Sequence, residues 1–217
     1  MKRRTSLKVI EIFASIQGES SLQGLPCVFV RLSGCNLRCR YCDTAYAYDG
    51  GEEMTIAEII ERVSAHFISF SCITGGEPLL QEATPGLAGE LIARGFRVSV
   101  ETNGSIDASD IPEGAVRIID IKCPGSGEAG KTHPRNIEMT RSSDEFKFAL
   151  TGRGDFEYAR EFAREHRLAE RAATLLSPVW GELEPGILAE WIVREMPEAR
   201  LNLQVHKCIW PGNLRGR

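Results

Sequence analysis

Seven short apolar runs, at 27–32, 69–73, 96–100, 116–121, 145–150, 172–176 and 201–205, punctuate the 217 residues. Runs of this length without strict alternation read as strands buried on both faces, the habit of parallel sheets. Helical patterns separate several of them. Residues 55–67 carry Ile56, Ile59, Ile60, Val63 and Phe67 on one face, and Thr55 with Glu58 predicts a capping box at the start. Thr84-Pro85 opens a second helix carrying Leu87, Ala88, Leu91 and Ile92, with Gly95 placed to end it. Asp155 is read as the cap of a third, with Phe156, Ala159, Phe162 and Ala163 inward, and a fourth carries Ile187, Leu188, Trp191 and Ile192. Such alternation predicts right-handed βαβ units and an α/β fold. The joins after Thr102 and Lys122 hold Gly, Pro, Ser and Asp without helical periodicity, so the ring of helices is incomplete and a partial barrel is expected. A single domain over 1–217 is the simplest organisation, with no internal repeat or low-complexity tract.

Lys and Arg number 26 against 30 Asp and Glu, a formal charge of −4, which argues against a nucleic-acid partner needing clustered basic charge. The longest stretch free of charged residues, 63–76, is fourteen residues, whereas a bilayer span needs roughly twenty. Met1-Lys2-Arg3-Arg4 imitates the start of a signal peptide, but Lys8, Glu11 and Glu19 interrupt what should be an apolar stretch. A cytoplasmic protein without a membrane partner is expected.

Of seven cysteines, three fall within eight residues, in Gly34-Cys35-Asn36-Leu37-Arg38-Cys39-Arg40-Tyr41-Cys42-Asp43-Thr44 directly after the first strong apolar run. In a reducing compartment a C-x3-C-x2-C cluster reads as a metal site rather than a disulfide framework. Three thiolates on one loop can hold three corners of a four-iron four-sulfur (4Fe-4S) cluster, leaving the fourth iron open to a substrate or cofactor. The alternative is zinc, which wants four protein ligands, and no second Cys or His pair at the usual spacing occurs. Cys27 lies within Pro26-Cys27-Val28-Phe29-Val30 and reads as a buried apolar cysteine rather than a fourth ligand. Ile73-Thr74-Gly75-Gly76-Glu77-Pro78 follows another run. Two glycines there let the backbone approach a ligand closely, although alone the segment reads equally as a tight turn.

With Tyr41 as the aromatic of C-x3-C-x-aromatic-C and the Gly-Gly-Glu run one βα unit later, the sequence resembles the radical S-adenosylmethionine (SAM) superfamily. That resemblance implies a partial (β/α)6 barrel with a reduced helix complement, a 4Fe-4S cluster on Cys35, Cys39 and Cys42, and SAM chelated to the open iron. An electron from the cluster then breaks a carbon–sulfur bond of SAM to give a hydrogen-abstracting 5′-deoxyadenosyl radical. Because SAM carries the radical, no side chain is assigned as catalytic. SAM contacts are implied at Tyr41, Cys42, Asp43 and Gly76, and at the strand ends Asp120-Ile121-Lys122 and Ser177-Pro178-Val179-Trp180, where a barrel presents ligand-binding groups.

Further segments extend the likeness over nearly the whole chain: Phe13-Ala14-Ser15-Ile16-Gln17-Gly18-Glu19, Phe29-Val30-Arg31-Leu32-Ser33-Gly34-Cys35, Val100-Glu101-Thr102-Asn103-Gly104, Asp120-Ile121-Lys122-Cys123-Pro124-Gly125-Ser126-Gly127 and Gln204-Val205-His206-Lys207. They are similar to the branch of the superfamily that contracts 6-carboxy-5,6,7,8-tetrahydropterin to 7-carboxy-7-deazaguanine with loss of ammonia, a carbon–nitrogen lyase step toward the queuosine base of tRNA. The resemblance implies magnesium held by Thr44, an electron donor such as flavodoxin or ferredoxin, and a homodimer. It implies a pterin contacted by Ile16, Gln17, Gly18, Glu19, Arg31, Thr74, His206 and Pro211. The chemistry of these residues fits: Arg31 offers a two-donor fork to a carboxylate, and Gln17, Gly18 and Glu19 offer an amide, a free backbone and an acceptor to a guanidine-like edge. A surface ion pair is the lesser alternative for Arg31, whereas taken alone Gln17-Gly18-Glu19 reads as a turn cap, Thr44 as a turn or helix cap and His206 as a structural residue at a strand end.

Ser20 stands where this branch more often has Gly, Tyr41 where Trp is frequent, and the chain ends Gly212-Asn213-Leu214-Arg215-Gly216-Arg217 rather than in an apolar residue. Two rivals remain. A glycyl-radical activase shares the cysteine spacing but needs a groove for a protein substrate, and an iron–sulfur electron carrier leaves Tyr41 and the Gly-Gly-Glu run without a task.

Overall fold

The computed structural model describes residues 6–212, 215 and 216. The basic residues at 1–4 that imitate a signal peptide, and residues 213, 214 and 217 of the tail, lie outside the described residues. In chain order the elements are β1 (Ser6–Ile16), β2 (Pro26–Leu32), β3 (Glu52–Thr55), α1 (Ile56–Ser64), β4 (Phe70–Gly75), α2 (Thr84–Ala93), β5 (Arg97–Thr102), β6 (Ala115–Asp120), α3 (Pro134–Glu138), β7 (Glu145–Leu150), α4 (Arg153–Glu165), β8 (Ala173–Pro178), α5 (Pro185–Glu195), β9 (Arg200–Leu201) and α6 (Val205–Ile209). They form one sheet in the order β3-β1-β2-β4-β5-β6-β7-β8-β9. From β2 through β4, β5, β6 and β7 to β8 the neighbours are parallel, the partial barrel expected from the apolar runs, with the six strands that the family resemblance implies.

β1 and β3 extend the sheet antiparallel, two strands that no apolar run marks. In β1, Leu7 and Val9 are buried while Lys8 between them is exposed. Of the charges that interrupt a signal-peptide pattern, Lys8 is thus an outward position of the strand, Glu11 is half-buried against Arg31, and Glu19 lies beyond the strand, paired with Lys147. The run at 201–205 is a strand only over Arg200–Leu201, and Val205 begins a helix instead.

Local chemistry fixes the helices. The Thr55 hydroxyl accepts from Glu58 N at 3.3 Å while the Glu58 carboxylate accepts the Thr55 N–H at 2.7 Å, the reciprocal capping box. The helix stops at Ser64, and Phe67, expected on its inward face, has φ +55° and is 97% exposed. Asp155 does not cap α4. It sits in the first turn and reaches back to Thr151 N at 2.8 Å and Gly125 N at 2.8 Å. Ile187 on α5 is exposed, whereas Leu188 and Ile192 are buried.

Two apolar layers lie between helices and sheet. One joins α1 and α2 to β2, β4 and β5 through Ile59, Val63, Leu87, Leu91, Val28, Val30 and Val100. The other joins α4 and α5 to the second half of the sheet through Phe156, Ala159, Leu188, Phe146, Phe148 and Leu176. No helix among the described residues is long and apolar enough to cross a membrane.

Candidate active site

Side chains of a strand alternate between faces, and in β2 Val28 and Val30 go to the helix layer. Cys27, Phe29 and Arg31 therefore face the barrel interior. Cys27 packs there with Leu22, Phe29, Phe70 and Cys72, fully buried, and it does not line the cleft that the other three loop cysteines share. The same alternation brings Thr74 of β4, Glu101 of β5, Asp120 of β6, Lys147 of β7 and Ser177 of β8 to one cleft of about 230 Å³.

Cys35, Cys39 and Cys42 line one side of this cleft, partly exposed and unpaired. Their loop is pinned by its own backbone. Arg40 N donates to Ser126 O at 2.9 Å, Arg38 N to Glu128 Oε1 at 2.6 Å, and the Tyr41 hydroxyl to Ala149 O at 3.3 Å. The Arg40 guanidinium forks onto Glu182 at 3.1 and 2.7 Å. Among the described residues no three Cys, His, Asp or Glu side chains converge as ligands of a single metal ion. A four-iron cluster takes one thiolate per iron and so needs them farther apart, which fits three spaced thiols on one rigid loop better than zinc does.

Gly75 and Gly76 owe their identity to the end of β2 and to this loop. A Cβ on Gly75 would lie 2.3 Å from Leu32 O, and one on Gly76 would lie 2.2 Å from Gly34 O and 2.8 Å from Cys35 Cβ. Glu77 N donates to Gly34 O at 2.7 Å. The Glu77 carboxylate turns away from the cleft and is buried, accepting from Leu79 N at 2.9 Å, Asn103 N at 2.6 Å and the Thr102 hydroxyl at 2.8 Å. Burial pushes its pKa up despite these donors.

The cleft floor is a chain of charges. Lys147 Nζ is 2.7 Å from Glu19 Oε2 and 3.7 Å from Asp120 Oδ2, and Lys122 Nζ donates to Asp120 Oδ2 at 2.9 Å. Burial opposes ionisation of Glu19, but Lys147 and then His206 outweigh it and hold the carboxyl at about 2. Burial likewise opposes the charge of Lys147, and Glu19, Asp120 and Glu101 together raise its pKa well above the usual value. Glu101, hydrogen-bonded by Gln17 at 3.3 Å and Thr74 at 3.4 Å, is pushed up by burial. Asp120 Oδ1 is buried with no partner among the described residues, an acceptor in the cleft wall suited to a ligand hydroxyl or ammonium.

On the opposite wall Arg31 Nε donates to Glu11 Oε1 at 2.8 Å, and Tyr46 donates to the same oxygen at 2.7 Å. With Nε so fixed, the Nη pair is the part of the fork able to meet a ligand carboxylate. His206 is on α6 rather than at a strand end, and burial lowers its pKa, favouring the neutral imidazole. Gln204 donates to Glu19 at 2.8 Å, and Lys207 pairs with Asp43 at 2.6 Å, tying the C-terminal segment to the cysteine loop. Thr44 occupies the cap position of a short 3-10 helix, Ala45–Ala47, yet its hydroxyl makes no capping bond. It lies 3.8 Å from Cys42 Sγ on the cleft wall.

The cleft thus gathers Ile16, Gln17, Gly18, Glu19, Arg31, Tyr41, Asp43, Thr44, Thr74, Gly76, Asp120, Lys122, Ser177, Pro178, Val179 and His206 with the three cysteines. It does not gather Ile121, whose side chain falls on the opposite face into the core, nor Trp180, 53% exposed beyond the end of β8, nor Pro211, exposed beyond α6. Glu101, Asn103, Lys147, Gln204 and Lys207 line it without having been singled out as site residues. A lysine between Phe146 and Phe148 was the available signal for Lys147.

The radical SAM superfamily model matches residues 29–121. A 7-carboxy-7-deazaguanine synthase of Koribacter versatilis is 39% identical over 226 aligned residues, covering 97% of this chain and 100% of that protein. One from Chlorobaculum tepidum is 41% identical over 219 residues, covering 100% of both. The crystal structure of QueE from Escherichia coli superposes with a TM-score of 0.78 at 19% identity, covering 92% of this chain and 94% of that one, a likeness of fold. Cysteine loop, partial barrel and end-to-end similarity agree: this chain belongs to the 7-carboxy-7-deazaguanine synthase family of the radical SAM superfamily.

Proposed function

We propose that this chain contracts 6-carboxy-5,6,7,8-tetrahydropterin to 7-carboxy-7-deazaguanine with release of ammonia. The observation that carries the reading is the two-sided cleft of a chain in this family: three thiols on one wall, and on the other a guanidinium fork, an amide, a carboxylate and an imidazole at Arg31, Gln17, Glu19 and His206. Bound together, the cluster and SAM supply a radical able to abstract an unactivated hydrogen. Cys35, Cys39 and Cys42 would hold the cluster, and Asp120 Oδ1 offers an acceptor to SAM. Arg31 anchors the substrate carboxylate, Glu19 and Gln17 meet the guanidine-like edge, and neutral His206 can donate or accept at its rim.

Subtracting ammonia from the substrate leaves the product's atoms with no electrons left over, a redox-neutral balance compatible with the catalytic use of SAM that the family resemblance implies. Magnesium prefers hard oxygens and keeps several waters. The Thr44 hydroxyl, which makes no capping bond, and a substrate carboxylate suit it. A flavodoxin or ferredoxin as reductant, a homodimer and the queuosine branch rest on the family resemblance.

The test is calorimetry on the cluster- and SAM-loaded protein with the carboxypterin and with tetrahydropterin lacking the carboxylate. The carboxylated ligand binds at least tenfold more tightly. Equal affinity contradicts the reading of Arg31 as a carboxylate anchor and, with it, the substrate.

A further inference from the structure

Asn103 holds a more constrained place than a loop residue needs. Its backbone N–H donates to buried Glu77 at 2.6 Å. Its side-chain oxygen accepts from Ser105 N at 3.0 Å and from the Ser105 hydroxyl at 2.6 Å. A backbone N–H can only donate, so the amide oxygen must face Ser105, and the NH2 group must face the other way. There it finds Asn36 Oδ1 at 3.0 Å and Cys35 Sγ at 3.8 Å, which together account for both of its protons. Asn103 is 9% exposed, beside a half-buried Cys35.

We infer that Asn103 is a positioning residue that sets the reduction potential of the cluster through an N–H···S bond to Cys35. This inference rests on the cluster reading above. On one-electron reduction the added charge spreads onto the cluster sulfurs and their thiolates, so a donor aimed at a thiolate stabilises the reduced state more than the oxidised one and raises the potential. The Gly-Gly-Glu run then has a purpose beyond a close turn. Glu77 fixes Thr102 and Asn103 at the end of β5, while the glycines beside it let the cysteine loop come within reach.

The experiment is an anaerobic potentiometric titration of the reconstituted, SAM-free protein, following the reduced cluster by electron paramagnetic resonance. It compares the parent with Asn103→Leu, which removes the donor, and Asn103→Asp, which keeps the oxygen facing Ser105 but turns an acceptor toward Cys35. Both variants retain the parent's iron content. At a fixed potential the reduced-to-oxidised ratio falls roughly three- to tenfold in Asn103→Leu, a tenfold change being about 59 mV for one electron, and further in Asn103→Asp. A merely structural role would not produce that order. An unchanged midpoint in both variants overturns the inference. Loss of iron from both variants also counts against it, because a tuning residue is dispensable for assembly. A parent that takes up no iron contradicts the cluster reading instead.

Discussion

His206 packs directly onto the backbone of Gly18, so closely that a Cβ there would lie 2.0 Å from Nδ1 and 2.7 Å from Cγ of the imidazole. Val205 N also donates to Gly18 O at 3.0 Å, so α6 and the turn after β1 are one surface at this point. Gly18→Ala must displace the imidazole or the turn. We expect carboxypterin affinity to fall at least tenfold while iron content and SAM binding stay at parent levels. Unchanged affinity would remove His206 from the substrate wall.

The seven cysteines divide into two groups by position. Cys35→Ala, Cys39→Ala and Cys42→Ala each lose the brown absorbance of the cluster and all activity, since two thiolates rarely retain a cubane. Cys27→Ala and Cys72→Ala, buried beneath the cleft, Cys123→Ala in the core and Cys208→Ala at the surface keep it. Iron and absorbance measurements decide, and loss of iron from a folded Cys27→Ala would make Cys27 a ligand.

Arg31→Lys keeps a positive charge but gives up the planar fork that Glu11 orients. Losing a charge-assisted bond of this kind costs about 1.5 to 3 kcal/mol, roughly ten- to a hundredfold in carboxypterin affinity. SAM affinity, followed through the cluster spectrum, is unaffected. Equal weakening of both ligands would mean that Arg31 supports the cysteine loop instead.

Glu19 gives the site an acid limit. Its folded-state pKa of about 2 lies below the ordinary 4.5, so between these values the unfolded chain binds a proton that the folded chain does not. The contribution is full above pH 4.5 and is lost as pH falls toward 2. Glu19→Gln removes this dependence and leaves Lys147 without its 2.7 Å partner, at a cost of up to about 3 to 5 kcal/mol at neutral pH. Denaturant unfolding at neutral pH and near pH 3 checks both points. The gap between parent and variant narrows in acid, and parallel losses would contradict the pairing.

Much of this site could be read from the sequence where chemistry is local. The cysteine loop, the Gly-Gly pair and the Thr55–Glu58 cap each involve residues within a few positions of one another. The charged floor could not be read that way, because Asp120 and Lys147 meet only through the register of β6 on β7, where they are direct partners. β1 was hidden by its half-exposed pattern. α6 was hidden by the apolar residues at 201–205, which turn from strand to helix after Leu201. Ser20, a departure from the Gly more usual in its branch, has φ +70° and is held there by its own hydroxyl, which accepts from Leu22 N at 3.0 Å. That tie offsets part of the strain a side chain meets in the left-handed region.

The most direct measurement is anaerobic turnover of the reconstituted protein with SAM, a low-potential reductant and 6-carboxy-5,6,7,8-tetrahydropterin, quantifying 7-carboxy-7-deazaguanine and ammonia by mass spectrometry and enzymatic assay. The account predicts one ammonia per product, with neither formed when SAM, reductant or the Cys35 thiol is withheld. SAM cleavage without any deazapurine, or product formed by the Cys35→Ala protein, would contradict it.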